Sequence, residues 1–165
     1  MDQEEPTLRP CEPEDAEFLY RVYASTRQEE LAQVPWSDTE REAFLRMQFH
    51  AQHTHYHTHY ADADYQIILL AGVPIGRLYV DRSATEIILM DIALLPNLRG
   101  GGIGTKLIRA VLEEADHAGI MTSLYVEQSN PAMRLYKRLG FQQIKDEGIY
   151  WRMERQPPNV AALGS

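Results

Sequence analysis

Leu95-Pro96-Asn97-Leu98-Arg99-Gly100-Gly101-Gly102-Ile103-Gly104-Thr105 is the stretch that decides the fold of this 165-residue chain. It follows a largely apolar run from Ile87 to Leu94 and opens an amphipathic pattern that continues to about Ala118. Proteins use a buried strand, a glycine-rich turn and a helix start to bind phosphate, because glycine lets the backbone approach the anion and the first helical N–H groups point at it. The stretch therefore predicts a site for a pyrophosphate-bearing cofactor.

The spacing of the glycines excludes two common nucleotide motifs. In the dinucleotide pattern Gly-x-Gly-x-x-Gly, the third glycine would fall on Thr105 or on Leu107. The P-loop pattern needs Gly-Lys-Ser/Thr, and Gly104 is followed by threonine. What residues 99–104 contain is Arg-x-x-Gly-x-Gly, a hexapeptide that also suits a plain loop between a strand and a helix.

Arg-x-x-Gly-x-Gly resembles the pyrophosphate-binding motif of the GNAT acyltransferases, which bind acetyl-coenzyme A. Downstream, Asn130-Pro131-Ala132-Met133-Arg134-Leu135-Tyr136-Lys137-Arg138-Leu139-Gly140-Phe141 is similar to the later GNAT pattern Asn-x-Ala-x-x-Leu-Tyr-x-x-x-Gly-Phe. Leu8-Arg9-Pro10 followed by Asp15 also resembles the start of a GNAT domain. The resemblance covers roughly residues 6–155. It implies an α/β fold with a mixed sheet of about six or seven strands, splayed at the cofactor cleft and flanked by about four helices.

The remaining sequence alternates strand and helix patterns without an internal repeat. Ala71-Gly72-Val73-Pro74 between two apolar runs predicts a hairpin, and Ser37 with Glu40 predicts a capping box at the start of a helix. Gly119 is placed to end the helix that follows the glycine turn. We expect one domain over residues 1–155 and a flexible C-terminal tail over residues 156–165.

Composition excludes several classes of protein. The net charge of −8 disfavours nucleic-acid binding and favours cationic substrates such as amines. No apolar run reaches the ~20 residues of a membrane span, and the acidic N-terminus lacks the features of a signal peptide. Cys11 is the single cysteine, so an internal disulfide framework is excluded. We expect a cytoplasmic monomer or homodimer that binds neither nucleic acid nor membrane.

The resemblance assigns the contacts with acetyl-coenzyme A by position. In GNAT proteins the pantetheine arm enters a gap between two parallel strands, and here the main chain of Ile92, Ala93 and Leu94 is expected to bond it. Arg99 either pairs with a phosphate or is a solvated loop residue. Asn130 is expected to cap its helix and to contact the coenzyme A arm. The pyrophosphate is expected to lie against the loop and the helix start, at Gly100, Gly101, Gly102, Ile103, Gly104 and Thr105.

Acetyl transfer from a thioester to an amine needs a neutral amine, donors for the oxyanion and a proton for the leaving thiolate. The resemblance gives the last role to Tyr136, whose place on an apolar helical stripe also allows a purely packing role. GNAT proteins with a glutamate base carry it where this chain has Ile88 or Tyr125. Glu86 and Glu127 lie two residues away on the same strand faces, so they are the candidate bases. The alternatives are that each is an ordinary surface or hydrogen-bonding carboxylate and that a water relay takes the proton.

Four alternating histidines, His53 to His59, form i,i+4 pairs if the segment is helical. Neutral imidazoles at this spacing bind zinc or copper. GNAT chemistry needs no metal, so we expect a solvated or substrate-facing helix. Incidental metal affinity and a histidine acting as base are the alternatives.

Two functional hypotheses follow from these patterns. The first is an N-acetyltransferase that moves the acetyl group of acetyl-coenzyme A to a primary amine of a small molecule, an amino acid or a protein. The second is a non-catalytic acyl-coenzyme A-binding sensor or scaffold. Tyr136 favours the enzyme, because a binding module needs no acid for a thiolate. A metal-binding protein is a third possibility, supported by the histidines alone.

Overall fold

The computed structural model describes residues 5–158. Its helices and strands are β1 Thr7–Pro10, α1 Ala16–Ala32, α2 Asp38–His59, β2 Asp64–Leu70, β3 Val73–Arg82, β4 Glu86–Leu94, α3 Ile103–Ala118, β5 Met121–Glu127, α4 Met133–Arg138, β6 Gln142–Glu147 and β7 Tyr150–Arg155. Across these described residues the strands form one seven-stranded mixed sheet in the order β1-β2-β3-β4-β5-β7-β6, accompanied by four α-helices. The α/β class and the mixed sheet expected from the sequence are confirmed.

The chain divides into two compact units. The first unit consists of the residues up to Tyr79 together with the segment Asp91–Gly101. The second unit consists of Val80–Met90 together with the residues from Gly102 onward. The first contains β1, α1, α2 and β2, and the second contains α3, β5, α4, β6 and β7. The single domain over residues 1–155 stays a prediction. Of the predicted tail, residues 156–158 are in neither helix nor strand, and the rest lies outside the described residues.

In the first unit, α2 begins where the sequence predicts. Ser37 Oγ accepts a hydrogen bond from the Glu40 N–H at 3.1 Å, and Glu40 Oε1 accepts from the Ser37 N–H at 3.0 Å, which completes the capping box. The helix then runs without interruption through the histidines to His59. Its inner face packs on α1 around a buried cluster of Tyr20, Tyr23, Leu31 and Leu45.

The β2–β3 hairpin turns on two residues. Ala71 and Gly72 both have positive φ, at 53° and 78°. This is the conformation of a type I′ turn, whose twist matches that of the flanking strands. The hairpin predicted from this segment is confirmed, and β2 pairs on its other side with β1 in antiparallel register.

In the second unit, α3 buries one apolar face and ends at Gly119 with φ 71°, as predicted. β5 pairs in parallel with β4 only from Glu86–Ile88 to Met121–Ser123, and in antiparallel register with β7 over its last six residues. β6 is the outermost strand, and all six of its residues are exposed. Within the described range, every helix is too short or too polar to cross a membrane.

Candidate active site

The glycine-rich turn leads directly into α3. Gly100 and Gly102 adopt φ values of 81° and 86°, in the left-handed region that side chains other than glycine rarely enter. Gly102 is the N-cap of α3, and the first turn of the helix contains neither a capping side chain nor an acidic residue among the described residues. The first N–H groups of α3 and the positive end of its dipole are therefore not neutralised by the helix itself.

A positive φ does not account for the glycines at positions 101 and 104. Neither has a positive φ, and a Cβ built at either position would meet no atom within 4 Å. Gly104 lies in the first turn of α3, where glycine destabilises a helix by about 0.5–1 kcal/mol relative to alanine. Backbone conformation and packing thus leave these two glycines unexplained, whereas a ligand lying against the backbone would explain both.

Arg99 is held by the protein itself. Its Nε donates to the Leu94 carbonyl at 3.0 Å, and its Nη2 donates to Ser25 Oγ in α1 at 3.1 Å. Arg99 is nevertheless exposed, and both hydrogen bonds lie at the surface, so its role as a solvated loop residue also stays open. The contact with Ser25 was not foreseen from the sequence, and pairing of Arg99 with a phosphate stays a prediction.

The segment Ile92–Leu94, whose main chain is expected to bond the pantetheine arm, lies close to β3. A Cβ at Gly76 would overlap the Ala93 carbonyl oxygen and would stand 3.1 Å from Leu94 Cα. Leu95 N–H donates to the Ile75 carbonyl at 2.8 Å. Glycine at position 76 therefore sets the distance between the two strands beside this segment.

A buried ion pair lies next to the same segment. Arg77 is 2% exposed, and its Nη2 donates to Asp91 Oδ2 at 2.6 Å and to Gln52 Oε1 at 2.9 Å. Burial lowers the pKa of Arg77, but the Asp91 carboxylate and Tyr79 raise it by more, so the guanidinium stays charged. Its Nε is buried without a hydrogen-bond partner among the described residues. This pair was missed, although a charged residue inside each of two apolar strands was a signal for it.

Tyr136 lies on α4 and is 9% exposed. Its ring packs edge to face on Phe141, with centroids 5.8 Å apart, so the side chain contributes to packing. Whether it also acts as the acid stays a prediction. Asn130 Oδ1 accepts a hydrogen bond from the Ala132 N–H at 2.9 Å. α4 starts at Met133, its N-cap is Ala132 and no side chain caps it, so the prediction that Asn130 caps this helix is wrong. Asn130 instead closes the turn before the helix through its bond to Ala132.

The two candidate bases differ in their surroundings. Glu86 Oε2 accepts from Ser123 Oγ at 2.6 Å and lies 3.5 Å from Arg152 Nη2, so this carboxylate is already engaged. Glu127 is the last residue of β5, and its carbonyl accepts the Asn130 N–H at 2.9 Å. Glu127 is thus joined to the turn that carries Asn130, while Glu86 pairs with Met121 at the opposite end of β5. Neither is shown to be the base.

The single cysteine and the histidines of α2 are two further reactive residue types. Burial and the nearby Asp15 raise the pKa of Cys11 to about 11, so its thiol is protonated at neutral pH and is a poor nucleophile. Burial, together with His57, His50 and Arg77, lowers the pKa of His53. The described residues contain no group of three or more histidine, cysteine or carboxylate side chains that could hold a metal ion.

The sequence matches the acetyltransferase (GNAT) family over residues 17–141. The fold is similar to that of the PaiA N-acetyltransferase from Thermoplasma acidophilum in complex with coenzyme A, with a TM-score of 0.70, 20% identity, and coverage of 92% of this chain and 99% of that chain. An acetyltransferase from Thermus thermophilus gives a TM-score of 0.67 and 21% identity, covering 94% and 99% of the two chains.

A third similar structure, of histone acetyltransferase HPA2 and related acetyltransferase from Corynebacterium glutamicum, has a TM-score of 0.65 and 21% identity, with 94% and 98% of the chains covered. No curated protein matches the sequence significantly. At these identities the structures establish the fold, and the family match spans most of the chain. The chain therefore belongs to the GNAT family of acetyltransferases.

Proposed function

We propose that this protein is an N-acetyltransferase that transfers the acetyl group of acetyl-coenzyme A to a primary amine. Family membership and the coenzyme A complex of one structural neighbour support acetyl transfer and acyl-coenzyme A use in general. The observation that carries the proposal for this chain is the pair Gly101 and Gly104, whose missing side chains serve neither conformation nor packing.

The residues around the glycine turn would bind the pyrophosphate. The N–H groups at the start of α3 are donors for its oxygens, and the helix dipole adds a favourable field. Arg99, which Ser25 and the Leu94 carbonyl already orient, would contribute its positive charge to a phosphate. The main chain of Ile92, Ala93 and Leu94 would bond the pantetheine arm, and Asn130 would contact it from its turn.

In the proposed reaction, the amine nitrogen attacks the acetyl carbon and the carbon–sulfur bond breaks. The Tyr136 hydroxyl gives its proton to the sulfur, which leaves as a thiol. Packing on Phe141 restricts the motion of the Tyr136 ring that carries this hydroxyl. The attacking amine loses its proton to Glu127 or to a water relay. Glu86 is the weaker candidate, because Arg152 and Ser123 already stabilise its carboxylate.

The first test is calorimetric titration of acetyl-coenzyme A into the purified protein. We expect binding in the micromolar range, followed by release of free thiol when suitable primary amines are added. No binding to a demonstrably folded sample would refute the proposal. Binding without thiol release over a broad panel of amines would instead support the acyl-coenzyme A sensor or scaffold.

The role of Tyr136 is tested with Tyr136→Phe. Loss of general acid catalysis lowers turnover by about 10²–10⁴-fold, while the affinity for acetyl-coenzyme A is expected to stay nearly unchanged. Tyr20→Phe is the matched control, because Tyr20 is also buried but lies on α1, where the proposal assigns it no role. If Tyr136→Phe leaves turnover unchanged, Tyr136 has no part in the chemistry.

A further inference from the structure

The C-terminal third of α2 presents two pairs of histidines that the proposed acetyl transfer does not use. The rings of His53 and His57 have centroids 4.2 Å apart, and those of His55 and His59 are 4.4 Å apart. All four residues are exposed. The four rings contact one another, Tyr56, Tyr65 and Phe49, and none of the ion pairs seen between described residues involves them.

The spacing of the rings suits chelation by one ion per pair. Two imidazoles that bind one ion side by side, with metal–nitrogen distances of about 2.1 Å, have centroids roughly 4.5–5.5 Å apart. The observed separations are a few tenths of an ångström below the lower end of this range, and small rotations of His53 and of either ring in the second pair open them. Positions i and i+4 of a helix lie on the same face, so the backbone needs no change.

The two pairs form separate sites. Residues 53 and 55 are about 200° apart around a helix of 3.6 residues per turn, so the two pairs point in opposite directions and cannot share an ion. His57 stacks on Tyr65 of β2 with centroids 4.1 Å apart and a tilt of 19°. Tyr65 in turn donates a hydrogen bond to the Tyr60 carbonyl at 2.8 Å, so the surface behind His57 is fixed.

We infer that α2 carries two bidentate imidazole sites for transition-metal ions such as Ni²⁺, Cu²⁺ and Zn²⁺, one formed by His53 and His57 and the other by His55 and His59. Imidazole nitrogen suits these ions, whereas Mg²⁺ and Ca²⁺ prefer oxygen ligands. Each pair supplies two ligands, so water completes the coordination. The His53–His57 site is the tighter one, because the stack on Tyr65 holds one of its rings in place before the ion arrives.

The test is calorimetric titration of NiCl₂ into the full-length, tag-free protein in a non-chelating buffer. We expect about two Ni²⁺ per chain, with no heat of binding for CaCl₂. His53→Gln with His57→Gln removes the tighter site, and His55→Gln with His59→Gln removes the weaker one. A single His53→Gln leaves one ligand and weakens the tighter site by about a hundredfold, because chelation by the second ring is lost.

His50→Gln with His117→Gln is the matched control, since these are the two histidines outside the pairs. It keeps both sites if the inference is right. Equal loss of binding in the control and in the paired variants would overturn it, as would unchanged binding after all four paired histidines are replaced. The ion could also be held between two chains instead of within one histidine pair, and sedimentation during the titration distinguishes the two. Dimers that form on addition of Ni²⁺ would overturn the assignment to pairs within one chain.

Ni²⁺ should also raise the unfolding temperature of the unmodified protein, because the two rings of each pair are held side by side only while α2 is folded. This rise disappears in the variant that lacks all four paired histidines. Circular dichroism without metal verifies that the variant is folded, which we expect because all four side chains are exposed. A variant with native helix content and an undiminished Ni²⁺-dependent rise would contradict the assignment.

Discussion

Glycine serves opposite purposes in two neighbouring regions of the chain. At Gly76 in β3, any side chain would overlap the Ala93 carbonyl of β4, so glycine is required by the fold. At Gly101 and Gly104, beyond the end of β4, a side chain would meet open space and the backbone has no need of glycine. The first region is filled by the protein's own atoms, and the second is open space, where we propose that the pyrophosphate lies. The presence of glycine in the sequence does not by itself distinguish a position where the fold requires it from a position where the fold does not.

The largest effect should come from Gly76→Ala. The added Cβ overlaps a backbone oxygen, which cannot rotate away, so β3 and β4 must move apart. We expect unfolding in urea to show a loss of about 3 kcal/mol or more of folding free energy. Gly101→Ala is the matched control and should change stability by only a few tenths of a kcal/mol. Equal losses for the two variants would remove the distinction between the regions.

The second effect concerns the ion pair beside Gly76. Asp91→Ala leaves the charged guanidinium of Arg77 buried without its carboxylate. We expect a loss of about 2–3 kcal/mol, below the 3–5 kcal/mol of a fully buried pair, because the Asp91 side chain is 17% exposed. Unfolding in denaturant measures this loss of folding free energy. Adding Arg77→Met to Asp91→Ala should recover part of the loss, and failure to recover any would show that the charge was not its cause.

Gly104→Ala sharpens the comparison, since stability and binding should move in opposite directions. Alanine in the first turn of α3 should raise the free energy of unfolding by about 0.5–1 kcal/mol. The same methyl group would obstruct a phosphate that lies on the backbone, and we expect the affinity for acetyl-coenzyme A to fall about tenfold, or by about 1.4 kcal/mol. Thermal unfolding and calorimetry measure the two changes. A more stable protein with unchanged affinity would place the pyrophosphate elsewhere.

The smallest effect should come from the type I′ turn. Ala71 has a φ of 53°, a conformation that asparagine adopts more readily than alanine. Ala71→Asn creates an Asn-Gly turn and should stabilise the protein by about 0.5 kcal/mol. Val73→Asn is a control with an exposed side chain that does not occupy the turn. A loss of stability in Ala71→Asn would mean that the turn departs from the type I′ form in solution.

The elements with local causes could be predicted from the sequence. The capping box needs only Ser37 and Glu40, and the hairpin needs only its two turn residues and the apolar runs beside them. The glycine turn into α3 likewise follows from residues that are adjacent in the chain. In each case the hydrogen bonds or dihedral angles that define the element belong to residues within a few positions of one another.

The contacts between distant residues could not be predicted in this way. Arg77 and Asp91 belong to different strands, and Gln52, which also binds Arg77, comes from α2. The contact of Arg99 with Ser25 joins residues 74 positions apart. Strand alternation predicts which residues share a face, but it cannot tell which side chains from other elements meet them. For the same reason the base of the proposed reaction stays a choice among Glu127, Glu86 and a water relay.

The outermost strand, β6, has a consequence for how copies of this protein meet. One of its sides pairs with β7, and among the described strands it is the last in the sheet order, so its other side is an edge onto which a further strand could add. Three consecutive charges, Lys145, Asp146 and Glu147, lie along this edge, and the register is broken between Gln143 and Lys145. Charge and an irregular ladder both oppose the pairing of one sheet edge with another. The strand with the least burial thereby protects the sheet from growing into an aggregate.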